Sequence, residues 1–270
     1  MGCVYNGRMM QSVEYDGKKV YYSTYGDRTK PALILLHSLM VKGSTYRSLY
    51  AYLSDSFYII APDLPGFGKS SAPSTNWTFS EYAHAVEKIL ASLKITKAVV
   101  VGHSFGGAVG MYLSFLSPTV SHLILISPSS LQYRSRSIWS ILWGMMVRQT
   151  MYALLHPRHL RVFALVLRDV VYTLLMRNYT LVRLSIVLVR TVTHPLLDGF
   201  IIRVPTLLIW SHSEDVIPPE VKSEAASYGP HITIREVEGN HNWCIYHPRE
   251  CAMMILQFLA DCKESRIEIY

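Results

Sequence analysis

Short apolar runs recur along this chain, separated by longer stretches in which apolar positions return at helical spacing. The runs Ala32–Leu36, Tyr58–Ala61, Ala98–Val101, Leu123–Ile126 and Thr206–Trp210 predict strands, with Val20–Tyr25 and Ile232–Val237 as two more. Helical patterns occupy Phe79–Leu93, Phe105–Leu116, Glu220–Tyr228 and Arg249–Cys262. Alternation of this kind implies an α/β fold, a mostly parallel, doubly wound sheet with helices on both faces. Met10–Glu14 is placed to pair antiparallel at one edge.

The alternation breaks between Leu131 and Phe200. This stretch is apolar and helix-patterned, and it separates the strand Leu123–Ile126 from the strand Thr206–Trp210. The expected organisation is therefore a core made of residues 1–128 and 204–270, with a helical insertion at 129–203. At 270 residues and with half of the chain apolar, one large domain with such an insertion is natural.

One junction carries chemistry. The run Ala98–Val101 stops at Gly102-His103-Ser104-Phe105-Gly106-Gly107, and a helical pattern follows at once. A Gly-x-Ser-x-Gly elbow needs this strand–turn–helix context, because its cramped backbone leaves room only for small residues two before and two after the serine. A glycine-rich loop with an incidental serine is the bland alternative, and the flanking strand and helix argue against it. A serine hydroxyl is a poor nucleophile alone and needs a base and a group to orient that base. After Thr206–Trp210 comes Ser211-His212-Ser213-Glu214-Asp215, and after Ile232–Val237 comes Glu238-Gly239-Asn240-His241. An acid and a base thus follow two successive strands, where the loops of a parallel sheet converge.

These motifs resemble the α/β-hydrolase superfamily over nearly the whole chain. The resemblance also includes His37 after Ala32–Leu36 and the loop Asp63-Leu64-Pro65-Gly66-Phe67-Gly68-Lys69-Ser70. It implies Ser104 as nucleophile, His241 as general base and Asp215 as the orienting carboxylate, with 129–203 as the family's cap. Adjacent loop residues point in different directions, so only one of Glu214 and Asp215 faces the histidine; motif register favours Asp215. The segment after Leu123–Ile126, another position for the acid in relatives, reads Ser127-Pro128-Ser129-Ser130 and offers no carboxylate. The oxyanion hole implied is the backbone N–H of Phe105 together with that of Leu39. The family usually has glycine directly after the histidine of that loop; here it is Ser38. His103, inside the elbow, is expected to orient its neighbours rather than act as base.

Charge adds one feature. Between Pro128 and Arg203 stand ten arginines and no lysine, against Asp169 and Asp198 only, so this stretch carries +8 of a chain whose net charge is +7. Arg161 and Arg168, like Arg183 and Arg190, are seven apart and share a helical face. Two readings stand: helices packed on the core with arginines reaching water, or an insertion resting on an anionic membrane surface, with Trp139, Trp143 and Tyr172 near the interface. The excess of hydrocarbon argues against nucleic acid. No secretory apolar region opens the chain, and Arg148 and Gln149 interrupt the longest apolar candidate, Ile138–Leu155, so a cytoplasmic placement, peripheral to a membrane, is expected. The four cysteines, at 3, 244, 251 and 262, show no metal spacing. No cofactor or metal is implied. The expected activity is hydrolysis of an apolar, fatty-acyl type carboxylic ester through an acyl-enzyme. Carbon–carbon bond hydrolysis of a diketone, and a slow-turnover ligand receptor on the same fold, stay open beside it.

Overall fold

The computed structural model describes residues 3–5, 8–129, 138–176, 183, 186, 187, 200–214 and 216–264. Nine strands among these form one sheet: β1 (Cys3–Tyr5), β2 (Arg8–Tyr15), β3 (Lys18–Tyr25), β4 (Ala32–Leu36), β5 (Tyr58–Pro62), β6 (Ala98–His103), β7 (Val120–Ile126), β8 (Thr206–Ser211) and β9 (Ile232–Val237). Their order is β1-β2-β3-β5-β4-β6-β7-β8-β9. From β5 onward in that order every pairing is parallel, while β1, β2 and β3 add an antiparallel edge. The doubly wound α/β expectation holds, and the antiparallel strand expected at Met10–Glu14 is β2, one strand in from the edge that β1 forms.

Helices α1 (Arg47–Leu53), α2 (Phe79–Ser92) and α3 (Phe105–Leu116) precede the insertion, and α6 (Glu220–Ser227) and α7 (Pro248–Glu264) follow it. α1 packs on α7 and α2 on α3, covering the two faces of the sheet. The start of α2 is written locally: the Thr78 hydroxyl accepts from the Ser80 N–H, and Glu81 reaches back to the Thr78 N–H, a reciprocal cap. The central strands β4, β5 and β6 are buried along their full length, which is why they read as unbroken hydrocarbon. α1 had no sequence signal of its own; it is short and forms because Leu49, Tyr50 and Leu53 bury against the core.

Parallel register places the functional loops. Leu36, Gly102, Leu125, Leu208 and Ile234 lie in one row across β4, β6, β7, β8 and β9. The loops that begin beyond this row, after His37, Ser104, Ser127, Ser211 and Val237, therefore all emerge at the same edge. Between β7 and β8 the chain runs through α4 (Ile138–Leu155) and α5 (Leu160–Met176). Both helices bond to loops at that edge. Thr173 Oγ1 lies 3.2 Å from the Met40 carbonyl, Thr45 donates to Asp169 at 2.7 Å, and Asn240 Nδ2 donates to Gln149 at 3.3 Å.

Candidate active site

Ser104 sits at the end of β6 with φ 52° and ψ −116°, a left-handed conformation that costs a non-glycine residue about 1–3 kcal/mol. The surroundings impose it. A Cβ at Gly102 would lie 2.5 Å from the Gly106 carbonyl oxygen, and one at Gly106 would lie 2.1 Å from that of Leu36. Both positions flanking the serine are therefore closed to any side chain. The Ser104 N–H bonds the Ile126 carbonyl at 3.0 Å, and its own carbonyl accepts from Gly107 and Ser129. The serine is thus locked to both β7 and α3. Phe105 opens α3, so its N–H has no acceptor inside the helix and is available to an anion.

His241 is buried, and its Nδ1 lies 2.8 Å from Glu214 Oε1. Both side chains of this pair are 3% exposed. The same Glu214 oxygen accepts from the backbone N–H groups of Val216 and Ile217, at 2.9 and 3.0 Å. Burial acts to raise the Glu214 carboxyl, but the facing imidazole, its hydrogen bond, the Ser127 hydroxyl and the Ile217 N–H outweigh it. The result is a pKa of about 2. An ionised carboxylate only accepts, so His241 Nδ1 carries the proton and Nε2 is the basic nitrogen of the neutral ring.

This pairing departs from motif register, which pointed to Asp215. The turn after β8 explains where Glu214 goes. His212 and Ser213 donate to the carbonyls of Val237 and Gly239, and the Glu214 N–H returns to the Ser211 carbonyl. The tight turn delivers the side chain of residue 214 to the β9 loop; Asp215 lies outside the described residues. Ser127, just after β7, stands near this carboxylate and helps to lower its pKa.

Two further histidines hold the loops without acting as bases. His103 Nε2 lies 2.9 Å from the His241 carbonyl, which can only accept, so Nε2 carries the hydrogen. Its Nδ1 then accepts from the Tyr46 hydroxyl at 2.6 Å, and Tyr46 accepts from the Ser38 N–H at 3.2 Å. One relay thus joins the Ser38 loop, the elbow and the His241 loop. His37 donates to the Ser38 carbonyl and accepts from the Leu64 N–H, each at 2.8 Å, fixing the loop that carries Leu39. The serine in place of the usual glycine is accommodated: Ser38 is buried, and the turn's left-handed residue is Met40, at φ 67°. Asp63 accepts from the Gly43 and Lys69 N–H groups and so braces the neighbouring loop. Sequence reasoning missed Tyr46 and Gln149, whose partners lie far away in the chain. Gln149 joins Asn240 and the Tyr246 hydroxyl through Oε1, and its buried Nε2 has no partner among the described residues.

The buried histidines make a pH prediction. Burial lowers His37 to about 4; burial and then the neighbouring His241 lower His103 to about 3. Unfolded, each titrates near 6.5, so below that pH the unfolded chain binds protons that the folded chain refuses. Stability is therefore expected to be flat in this respect above pH 6.5. It should fall as pH drops toward 4, by up to about 1.4 kcal/mol per pH unit for each histidine. Urea melts at successive pH values check this, and His103→Gln should remove about half of the slope. A slope unchanged in that variant would contradict the assignment.

The comparisons with known proteins agree with this fold. The model of the Alpha/beta hydrolase family matches residues 33–253. An uncharacterized hydrolase of Bacillus subtilis is 34% identical over 131 residues, 48% of this chain and 47% of that protein. The chain spans under half the length of the curated relatives it matches. Among solved structures, the enol-lactonase from Burkholderia xenovorans LB400 superposes with a TM-score of 0.76 at 20% identity, covering 93% of this chain and 100% of that one. A meta-cleavage product hydrolase from Pseudomonas fluorescens IP01 gives 0.74 at 17%, covering 93% and 98%. At these identities the two structures share the fold.

Proposed function

Because the chain belongs to the alpha/beta hydrolase family, we propose that it is a serine hydrolase that cleaves an apolar carboxylic ester through an acyl-enzyme. The observation that carries this reading is the buried 2.8 Å pairing of His241 with Glu214, tied through His103 to the strained elbow that carries Ser104. Ser104 Oγ attacks the ester carbonyl while His241 Nε2 takes its proton. Glu214 stabilises the imidazolium, and the N–H groups of Leu39 and Phe105 receive the oxyanion. The alcohol then leaves with the proton from His241. Water, deprotonated by the same nitrogen, attacks the acyl carbonyl and releases acid and serine.

Residues 129–203 serve in this reading as a cap on a core of residues 1–128 and 204–270. The inward side of α5 is apolar, with Val166 and Val170 in the core and Val162 and Leu174 partly buried beside them, a character that suits a cap over a hydrocarbon substrate. A fluorophosphonate should label the protein and fail to label Ser104→Ala, and a series of acyl esters of rising chain length should show an optimum. Labelling retained in Ser104→Ala would sink the nucleophile assignment. The meta-cleavage product hydrolase supplies a second reading, carbon–carbon hydrolysis; a diketone turned over faster than every ester would favour it.

Gln149 ties the cap to the residue before His241. Gln149→Leu keeps the volume but loses both bonds, so kcat/KM is expected to fall about tenfold, the worth of one or two buried hydrogen bonds. Fluorophosphonate labelling of Ser104 should persist, because the elbow is untouched. Full activity in this variant would show that the tie does not serve the site.

A further inference from the structure

We propose that the outer face of α5, together with the end of α4, is a docking surface for an anionic lipid bilayer. A helix on the outside of a globular domain normally turns its polar side to water. α5 turns hydrocarbon to water as well as arginine. Its outward residues include Leu160, Leu165, Val171, Tyr172 and Leu175, 41% to 73% exposed and spaced along one side of the helix. Its opposite side is also apolar and is already used, with Val166 and Val170 buried against the core. Met151, Leu154 and Leu155, in the last turns of α4, are exposed as well. So much exposed hydrocarbon on two successive helices marks an interaction site rather than scattered surface leucines.

Charge selects the occupant. Arg161 and Arg168 lie exposed on the outward face of α5, Arg168 with 60% of its side chain open. The one carboxylate of α5, Asp169, is 4% exposed and is shared by Lys42, at 3.2 Å, and Arg168, at 2.8 Å. Two cations on one buried carboxylate leave the face positive. A second copy docked about a two-fold axis would bring these arginines against their own copies, with no exposed carboxylate of α5 to meet them. A leaflet bearing anionic headgroups meets both features: hydrocarbon enters at the acyl boundary and arginine stays at the headgroups. Arg183 is not part of this surface. It donates to the Pro73 carbonyl at 2.9 Å and ties the insertion to the core. Arg190 and the side chains of Trp139 and Trp143 lie outside the described residues. No helix among the described residues is long and apolar enough to cross a membrane, so the contact is peripheral.

The test is flotation of the full chain with vesicles of phosphatidylcholine containing increasing phosphatidylglycerol. Binding should rise with the acidic lipid and weaken at about 1 M salt, where the Debye length is about 3 Å. Each arginine near such a leaflet is worth about fivefold in partitioning, so Arg161→Gln with Arg168→Gln should lower it about 25-fold. Leu165→Ser with Leu175→Ser should lower it by about tenfold or more for each leucine. These side chains are exposed, and thermal melts confirm folding; if the serine pair fails to fold, the arginine pair carries the test. Equal binding to neutral and acidic vesicles, or no loss in the arginine pair, overturns the proposal. So does a concentration-dependent dimer that the serine pair abolishes while no vesicles are bound. The readout is binding, so a chain that binds acidic vesicles yet cleaves no ester supports this inference and refutes only the proposed activity.

Discussion

Ser104→Ala and His241→Ala are each expected to lower kcat for an acyl ester by about five to six orders of magnitude. The two residues act as a unit, since the hydroxyl needs the imidazole to take its proton and the imidazole has no other substrate bond to make. The double variant should therefore be little worse than either alone. Residual rate above water would come from the oxyanion donors and binding. Folding should survive Ser104→Ala, because alanine meets the same φ of 52° as serine and inherits the same strain. Ser104→Gly should even stabilise the chain by about 1 kcal/mol, since glycine adopts that conformation without penalty. Steady-state kinetics and a thermal melt on each variant check both parts. A Ser104→Ala enzyme within a hundredfold of wild type would reject the acyl-enzyme mechanism.

The second large effect separates two adjacent carboxylates. Glu214→Gln is expected to lower kcat by about 10⁴, because an amide facing Nδ1 no longer holds the imidazole in the tautomer that leaves Nε2 basic. It also removes the charge that stabilises the imidazolium. Asp215→Asn should stay within a few fold of wild type. Since Glu214 keeps its charge down to about pH 2, the wild-type pH–rate profile should show no limb from this carboxylate above pH 4. The reverse outcome, a crippled Asp215→Asn beside an active Glu214→Gln, would restore the assignment that motif register favours.

The two carboxylates also show where sequence reasoning reaches its limit. The strands at Ala32–Leu36, Ala98–Val101 and Thr206–Trp210 were legible because they are buried on both faces, which demands unbroken hydrocarbon. The elbow was legible because its backbone forbids side chains at Gly102 and Gly106, a constraint written within five residues. His241 was legible by its place after the last strand. In a turn where neighbouring side chains diverge, contacts outside the motif set which atom meets the histidine, and Glu214 Oε1 stands 2.8 Å from His241 Nδ1.

By itself the sequence determined the alternation of elements, the glycines two before and two after Ser104, and the apolar, arginine-rich stretch between Leu123–Ile126 and Thr206–Trp210. All of these depend on local sterics, periodicity or composition. Only the tertiary structure decided that Glu214 meets His241, that Tyr46 and His103 couple three loops, and that Arg183 faces the core while Arg161 and Arg168 face outward. The longer ties among them join partners 27 to 138 residues apart in the chain. Sequence separation carries no information about which atoms a folded sheet brings within hydrogen-bonding distance. The same holds for the exposed side of α5: both of its faces are apolar in sequence, and only packing chooses which one the core covers.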